Sequence, residues 1–487
     1  MSQPWDMMLQ IAYLAIFLFI AMVIRRAIPR FSRFRIPDAI LAGVLALIAG
    51  PGILGLVPFD TGRLTTLVYH LLAIGFIALS LKRDTRQGRG RTAFSAGLFN
   101  VVSYCVQGAV GLGITLVLIK TVYPDLFPAF GLLLPFGFAQ GPMAGEMAVK
   151  WANKISPAGI KAFPSVNAAA SVGFSFSTIG FLWACFVGVP LMNLLIRRRS
   201  RRGEPAPGLE AKPMPVVLKE KREEGGSGRL VERATTQLVL IGVVYILVFL
   251  SLKGLTFLLY TLVGEIGIMQ TIVGIFWSIH FVFGAIIATL LGKLIHKLED
   301  KRIFKTPIAD NRLLQNIGGA AIDFMIVASI AAIDVRVLGE FIVPILIITT
   351  AGGLSVTLYT WFVVRKVWPK TYVEHFVAFF GEQTGTIATG MALLRGADPY
   401  FRTRAASDIV YGSALALPLV FPLIFIATLP IEGFETGNPN LYWITLVAVL
   451  GYLALTLVIW FLPPVFRFLT KYSIRDEEVS SEGIRSL

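Results

Sequence analysis

The residues whose types and spacing could do chemistry gather in two stretches, AQGPMAGEMA at 139–148 and GEQTGTIATGMA at 381–392. Aligned as GPMAGEMA (141–148) and GTIATGMA (385–392), they share Gly, Ala, Met and Ala at the same positions, and Phe136-Gly137 against Phe380-Gly381 extends the match. Gly141, Gly145, Gly385 and Gly390 allow positive φ and close backbone approach, which frees carbonyl and N–H groups for a ligand. Those carbonyls, with Gln140, Glu146, Glu382, Gln383, Thr384, Thr386 and Thr389, make an oxygen-rich surface suited to Na⁺. A Na⁺ site is expected near Glu146, Gln383 and Thr386. Pro142 breaks the first stretch. Half-helices starting after each break, at Met143 and Ala144 and at Thr386, would turn positive ends toward a carboxylate. Small residues also let apolar helices pack closely, and that is the plainer reading of any one Gly or Ala.

Further polar groups stand in apolar segments. Asp323, in NIGGAAIDFMIVAS, is expected inside a membrane span, where an ionised acid costs at least about 2.5 kcal/mol, so it is a functional candidate or a packing partner for a cation or amide. Asn167, Ser171, Ser175 and Thr178 share one helix face. Asp408 and Ser413 occupy the corresponding segment after the second stretch, where Asp408 either lines a path or sits at a helix N-terminus. The four His residues show no ligand spacing and there is no P-loop, nucleophile–base pair or metal motif. The chain is therefore expected to be neither an enzyme nor an ATP-driven pump.

The positioning elements are set by composition. Of 487 residues 55% are hydrophobic and 15% charged, with 36 Phe, and apolar runs of bilayer length recur along the chain. The fold class is an all-α polytopic membrane protein. A net charge of +15 sits in short Lys/Arg clusters between apolar runs, which the positive-inside rule accounts for without nucleic acid. Cys105 and Cys185 lie in apolar segments as small buried hydrophobes. The start MSQPWDMM lacks a basic signal-peptide region, and the first apolar run ends at Arg25-Arg26, so that run is expected to be the first span.

Expected spans are 7–24, 37–54, 64–81, 95–119, 163–196, 235–262, 268–292, 313–334, 340–364, 405–430 and 441–466. Basic loops at 25–35 and 82–91 place the N-terminus outside, and the basic, Pro/Gly-rich segment after 196 belongs inside. The segment 128–152 then must enter and leave on one side, as must 372–395 in the second half. The expected plan is two inverted five-span repeats, 1–196 and 235–430, each with a re-entrant hairpin. A cytoplasmic linker, 197–234, joins them, and 431–487 adds an extra span and a cytoplasmic tail. Broken helices from inverted repeats are how secondary transporters build a midplane site.

RIPDAILAGVLALIAG (35–50), LLAIGFIALSLK (71–82), the first hairpin with FVGVPLMNLLIRR (186–198), and the second hairpin with its following span resemble the bacterial sodium/glutamate symporter family over about 20–430. The resemblance implies Na⁺-coupled uptake of L-glutamate or a related small carboxylate by alternating access. It also implies a homodimer in the lipids of the plasma (inner) membrane, with Na⁺ as coupling ion and no other cofactor. Proton coupling through Asp323 or Glu146, export of another organic anion, and a channel remain as alternatives. A channel normally builds its pore from oligomeric rings, which two hairpins within one chain do not need.

Overall fold

The computed structural model describes residues 5–27, 38–82, 90–141, 143–155, 162–203, 227–264, 269, 273–274, 276–277, 280–301, 303, 308–398 and 403–465. Among these there is helix and no strand. In chain order the helices are α1 (Asp6–Ala27), α2 (Asp38–Ala49), α3 (Thr61–Ser80), α4 (Gly90–Thr121), α5 (Leu133–Phe138, entered through a tight turn at Phe130–Leu132) and α6 (Met143–Ile155). Then come α7 (Val166–Trp183), α8 (Val189–Arg201), α9 (Ser227–Val263), α10 (His280–Asp300), α11 (Asn311–Ala331) and α12 (Val335–Val367). The last are α13 (Tyr372–Gln383), α14 (Ile387–Ala397), α15 (Ala405–Ile426), α16 (Leu429–Thr436) and α17 (Asn440–Phe461).

Local chemistry fixes several starts. The carboxylates of Asp60 and Asp310 accept from Arg63 N at 2.8 Å and from Arg312 N at 2.9 Å, and Ser165 accepts from Ala168 N at 3.1 Å, each satisfying an orphan N–H of the first turn. Widened π-type turns at Ala184–Gly188 carry α7 into α8, so Val166–Arg201 is one long rod.

Among the described residues ten helices are long and apolar enough to cross a membrane. α1, α9 and α17 present broad apolar faces outward, including Phe19 on α1, Leu238, Phe257 and Leu262 on α9 and Val447 on α17. A water-facing surface would not carry such bands, and a multi-pass membrane protein does. Several expected boundaries shift. The span expected at 37–54 is a helix of only 12 residues, because Gly50, Pro51 and Gly52 end it. Between the spans expected at 405–430 and 441–466 lies α16, closed by Gly437 at φ 67°. The linker expected at 197–234 loses both ends to α8 and α9, and 204–226 lie outside the described residues, as does part of the expected span 268–292.

The helices sort into two groups. One comprises α1, α2, α3, α9, α10 and α11; the other comprises α4–α8 and α12–α17; they meet mainly where α6 and α7 pass α3 and where α7 passes α11. The pattern of neighbours survives exchange of the two halves of the chain. α1 on α2 has its counterpart in α9 on α10, α2 on α11 in α10 on α3, and α4 on α15 in α12 on α7, while α3 on α11 and α4 on α12 are their own counterparts. Glycines set the closeness of the α3–α11 crossing: a Cβ added at Gly75 would lie 3.7 Å from the Gly318 carbonyl, and one at Gly318 3.3 Å from that of Gly75.

Candidate functional site

Two helices are broken at corresponding places in the two halves. α5 ends at Phe138, the chain turns through Gly141 at φ 61°, and α6 starts at Met143. α13 ends at Gln383, and α14 starts after Thr386, whose hydroxyl accepts from Thr389 N at 3.4 Å. The two breaks meet. A Cβ added at Gly141 would lie 2.9 Å from Thr386 Cγ2 and 3.7 Å from the Gly385 carbonyl. The floor under both is α7, where Ser177 Oγ donates to the Gly141 carbonyl at 2.6 Å and Gly180 leaves room for the Thr384 carbonyl, 2.7 Å from its would-be Cβ.

Against the second break lies a polar stripe of α4, formed by Asn100, Ser103, Tyr104 and Gln107. Asn100 Nδ2 donates to Glu382 Oε1 at 3.1 Å and to Ser413 Oγ at 3.3 Å, while its Oδ1 accepts from Gln383 Nε2 at 2.9 Å. The Ser413 hydroxyl also reaches Glu382 Oε1. Gln107 Nε2 donates to Ser103 Oγ at 3.2 Å and Gln383 Oε1 at 3.4 Å, and from the first break Gln140 Nε2 donates to Tyr104 OH at 2.8 Å. Glu382 Oε2 and Gln107 Oε1 are buried without a hydrogen-bond partner among the described residues. The Gln107 amide oxygen can only accept, and the Glu382 oxygen accepts when ionised and donates when protonated, so the cluster has capacity for a further polar partner. A cavity opens beside it, with Tyr104, Gln140 and Ser413 at its polar end and Leu132, Phe136, Met143, Phe281, Val420, Phe421 and Ile424 among its apolar walls.

The sequence-derived candidates fall into separate places. Gln140, Gly141, Met143, Glu382, Gln383, Thr384, Gly385, Thr386 and Thr389 are at or beside the meeting breaks, and Pro142 lies outside the described residues. Ala144 and Gly145 pack against α7, where Gly173 leaves room for Ala144 and Phe174 covers Gly145. Glu146 is one residue further round α6 and faces the other helix group: it lies within electrostatic range of Tyr69 on α3 and Tyr245 on α9, with Lys150 one turn on. Lys150 Nζ sits 5.6 Å from the Tyr69 ring, and among the described residues neither it nor the Glu146 carboxylate has a hydrogen-bond partner. The structure records no contact joining Glu146 to Gln383 or Thr386, whose partners are those given above.

Asn167 is exposed, with only its carbonyl engaged, accepting from Ser171 Oγ at 2.9 Å. Ser171 secures the α11–α12 connection by accepting from Asp334 N at 2.9 Å. Asp323 lies midway along α11 on its exposed side, within electrostatic range of Arg25 and Asp38, which pair at 2.9 Å. Asp408 is buried against His375 Nε2 at 3.1 Å; Ser413, five residues on along α15, is the one that reaches the cluster. Beside it Glu374 takes a two-pronged hold of Arg199 Nη1, both oxygens at 2.9 Å, so α13 is tied to α8 and α15 by adjacent residues. Asn100, Gln107 and Ser177 were not expected. The first two are legible as amide residues seven apart on a mostly apolar helix, whereas Ser177 carries no sequence signal apart from its neighbours.

Among the described residues no group of three or more His, Cys, Asp and Glu is placed to hold a metal ion. No protein-family model, curated protein or solved structure matches the chain.

Proposed function

We propose that the chain is a secondary active transporter that couples Na⁺ entry to symport of glutamate or a related small carboxylate or amino acid by alternating access. The observation that carries this reading is the contact between the Gly141 and Thr386 breaks, roofed by the Asn100–Glu382–Gln383 cluster. Irregular backbone at membrane depth survives only where protein or a cavity covers it, and here both conditions meet at one point. The exchange symmetry of the helix contacts supports two structurally equivalent halves. With basic loops kept inside, the halves run in opposite directions, the N-terminus lies outside, the C-terminus lies in the cytoplasm, and each break is a re-entrant hairpin. A site between such hairpins is open to each side in turn as one helix group rocks against the other.

One observation favours a second reading. Glu146 and Lys150, buried without hydrogen-bond partners at the seam between the helix groups, suit a proton as coupling ion. Uptake of radiolabelled L-glutamate and a panel of small carboxylates into proteoliposomes decides. Accumulation driven by an inward Na⁺ gradient supports sodium symport, accumulation driven by a pH gradient alone supports the second reading, and uptake that never exceeds equilibration refutes both.

A further inference from the structure

The last turns of α12 join two kinds of surface. Leu354, Leu358 and Phe362 recur four residues apart, so they share one face of the helix, and all three are exposed. On a helix long and apolar enough to cross a membrane, such a stripe lies against acyl chains. Arg365, three turns on from Leu354, returns to the same face in the last turn, the level at which lipid headgroups sit, and both it and Lys366 are exposed.

The Arg365 guanidinium carbon lies 4.8 Å from the Trp361 ring centre and 5.9 Å from that of Tyr372. Trp361 is itself set edge-on against Tyr372 and Phe376, with ring centres 6.4 and 6.0 Å apart. Such aromatic support steadies the plane of the guanidinium and leaves its N–H donors unspent, and among the described residues it makes no hydrogen bond or ion pair. The charge around it is of one sign. Glu374, the only acid in 341–377, is buried and held by Arg199, whose guanidinium carbon lies 5.7 Å from the same Tyr372 ring. Arg198 and Arg201, before and after Arg199 on α8, are exposed. A phosphate beside Arg365 meets a planar donor that can grip two of its oxygens, while the surrounding cations oppose a choline group and favour a net negative headgroup. A soluble anion would use the arginine and leave the apolar stripe uncovered. We propose that this end of α12 binds an anionic phospholipid, with Arg365 on the phosphate and the acyl chains along Phe362, Leu358 and Leu354. The proposal does not depend on what the protein carries.

The test is native mass spectrometry of the purified full-length protein in detergent, titrated with dioleoyl phosphatidylglycerol or dioleoyl phosphatidylcholine and reading the affinity of the first lipid bound. Phosphatidylglycerol should bind about tenfold more tightly, through a charge-assisted phosphate contact that a choline group opposes. Arg365→Gln should remove most of that preference; the residue is exposed, so the change leaves the fold intact. Arg26→Gln makes the same change of charge at an exposed arginine in the last turn of α1 and should leave the affinity within about twofold of the wild type. Glycerol 3-phosphate in excess should fail to displace the lipid, because it cannot cover the apolar stripe. Equal affinity for the two lipids, an Arg365→Gln variant that keeps the wild-type preference, or an Arg26→Gln variant that loses as much as Arg365→Gln each overturn the proposal. Displacement by glycerol 3-phosphate alone also overturns it, by assigning the arginines to a soluble phosphate.

Discussion

Gly141→Ala perturbs the point where the two halves meet, and its cost follows from two separable causes. The residue has φ 61°, a left-handed conformation that disfavours an L side chain by about 1–2 kcal/mol. The new Cβ would also lie 2.9 Å from Thr386 Cγ2, an overpacking contact worth about 1–3 kcal/mol. The backbone part belongs to residue 141 alone; the steric part needs the Thr386 methyl. Thr386→Ser removes that methyl and keeps the hydroxyl that caps α14. Thermal unfolding of the purified protein can be followed with a thiol-reactive dye, because Cys105 and Cys185 are free and buried. Gly141→Ala should lower the apparent Tm and the uptake rate sharply in the wild-type background. In the Thr386→Ser background roughly half of that loss should disappear, corresponding to a coupling of about 1–2 kcal/mol. Equal Tm losses in both backgrounds would refute the contact, and with it the placement of the two breaks against each other.

Asn100→Leu should leave Glu382 and Gln383 without their amide partner and cost about 2–4 kcal/mol, seen as a lower apparent Tm, with uptake reduced about tenfold or more. Arg199→Met strands the buried Glu374 carboxylate and should destabilise by about 3–5 kcal/mol in denaturant titration, whereas Arg199→Met combined with Glu374→Leu should recover a large part. Two glycines should behave oppositely. A Cβ at Gly173 meets the Ala144 backbone, so Gly173→Ala should fail to yield folded protein; at Gly113, on α4, nothing lies within 4 Å, so Gly113→Ala should raise stability by about 0.5–1 kcal/mol in the same titration.

Much of this architecture is written locally. The breaks at Gly141 and at Thr384–Thr386 are visible because glycine, proline and threonine interrupt apolar runs, and the duplicated Gly, Ala, Met and Ala positions identify them as counterparts before any contact is known. Helix existence was equally legible, since bilayer-length apolar runs leave the backbone little alternative. Side-chain direction was not. Glu146 sits in the same octapeptide as Gly141, yet a rotation of one residue about α6 sends it toward α3 and α9 instead of toward Glu382. Asp323 was legible as an acid within an apolar segment, but only three-dimensional packing decides which side of α11 it occupies. Asn100 and Gln107 could have been singled out by their spacing; their pairing with Glu382 and Gln383 depends on α4 lying beside the second break, a contact between residues 276 to 282 positions apart.

The most direct test of the central claim is the accessibility of the meeting point from each side of the membrane. Thr386→Cys in a background lacking Cys105 and Cys185 can be challenged with a membrane-impermeant thiol reagent, applied separately to right-side-out and inside-out vesicles. Alternating access predicts modification from both sides, with Na⁺ and cargo shifting the balance between them. Modification confined to one side under every ionic condition, in vesicles where the protein is active, would contradict it.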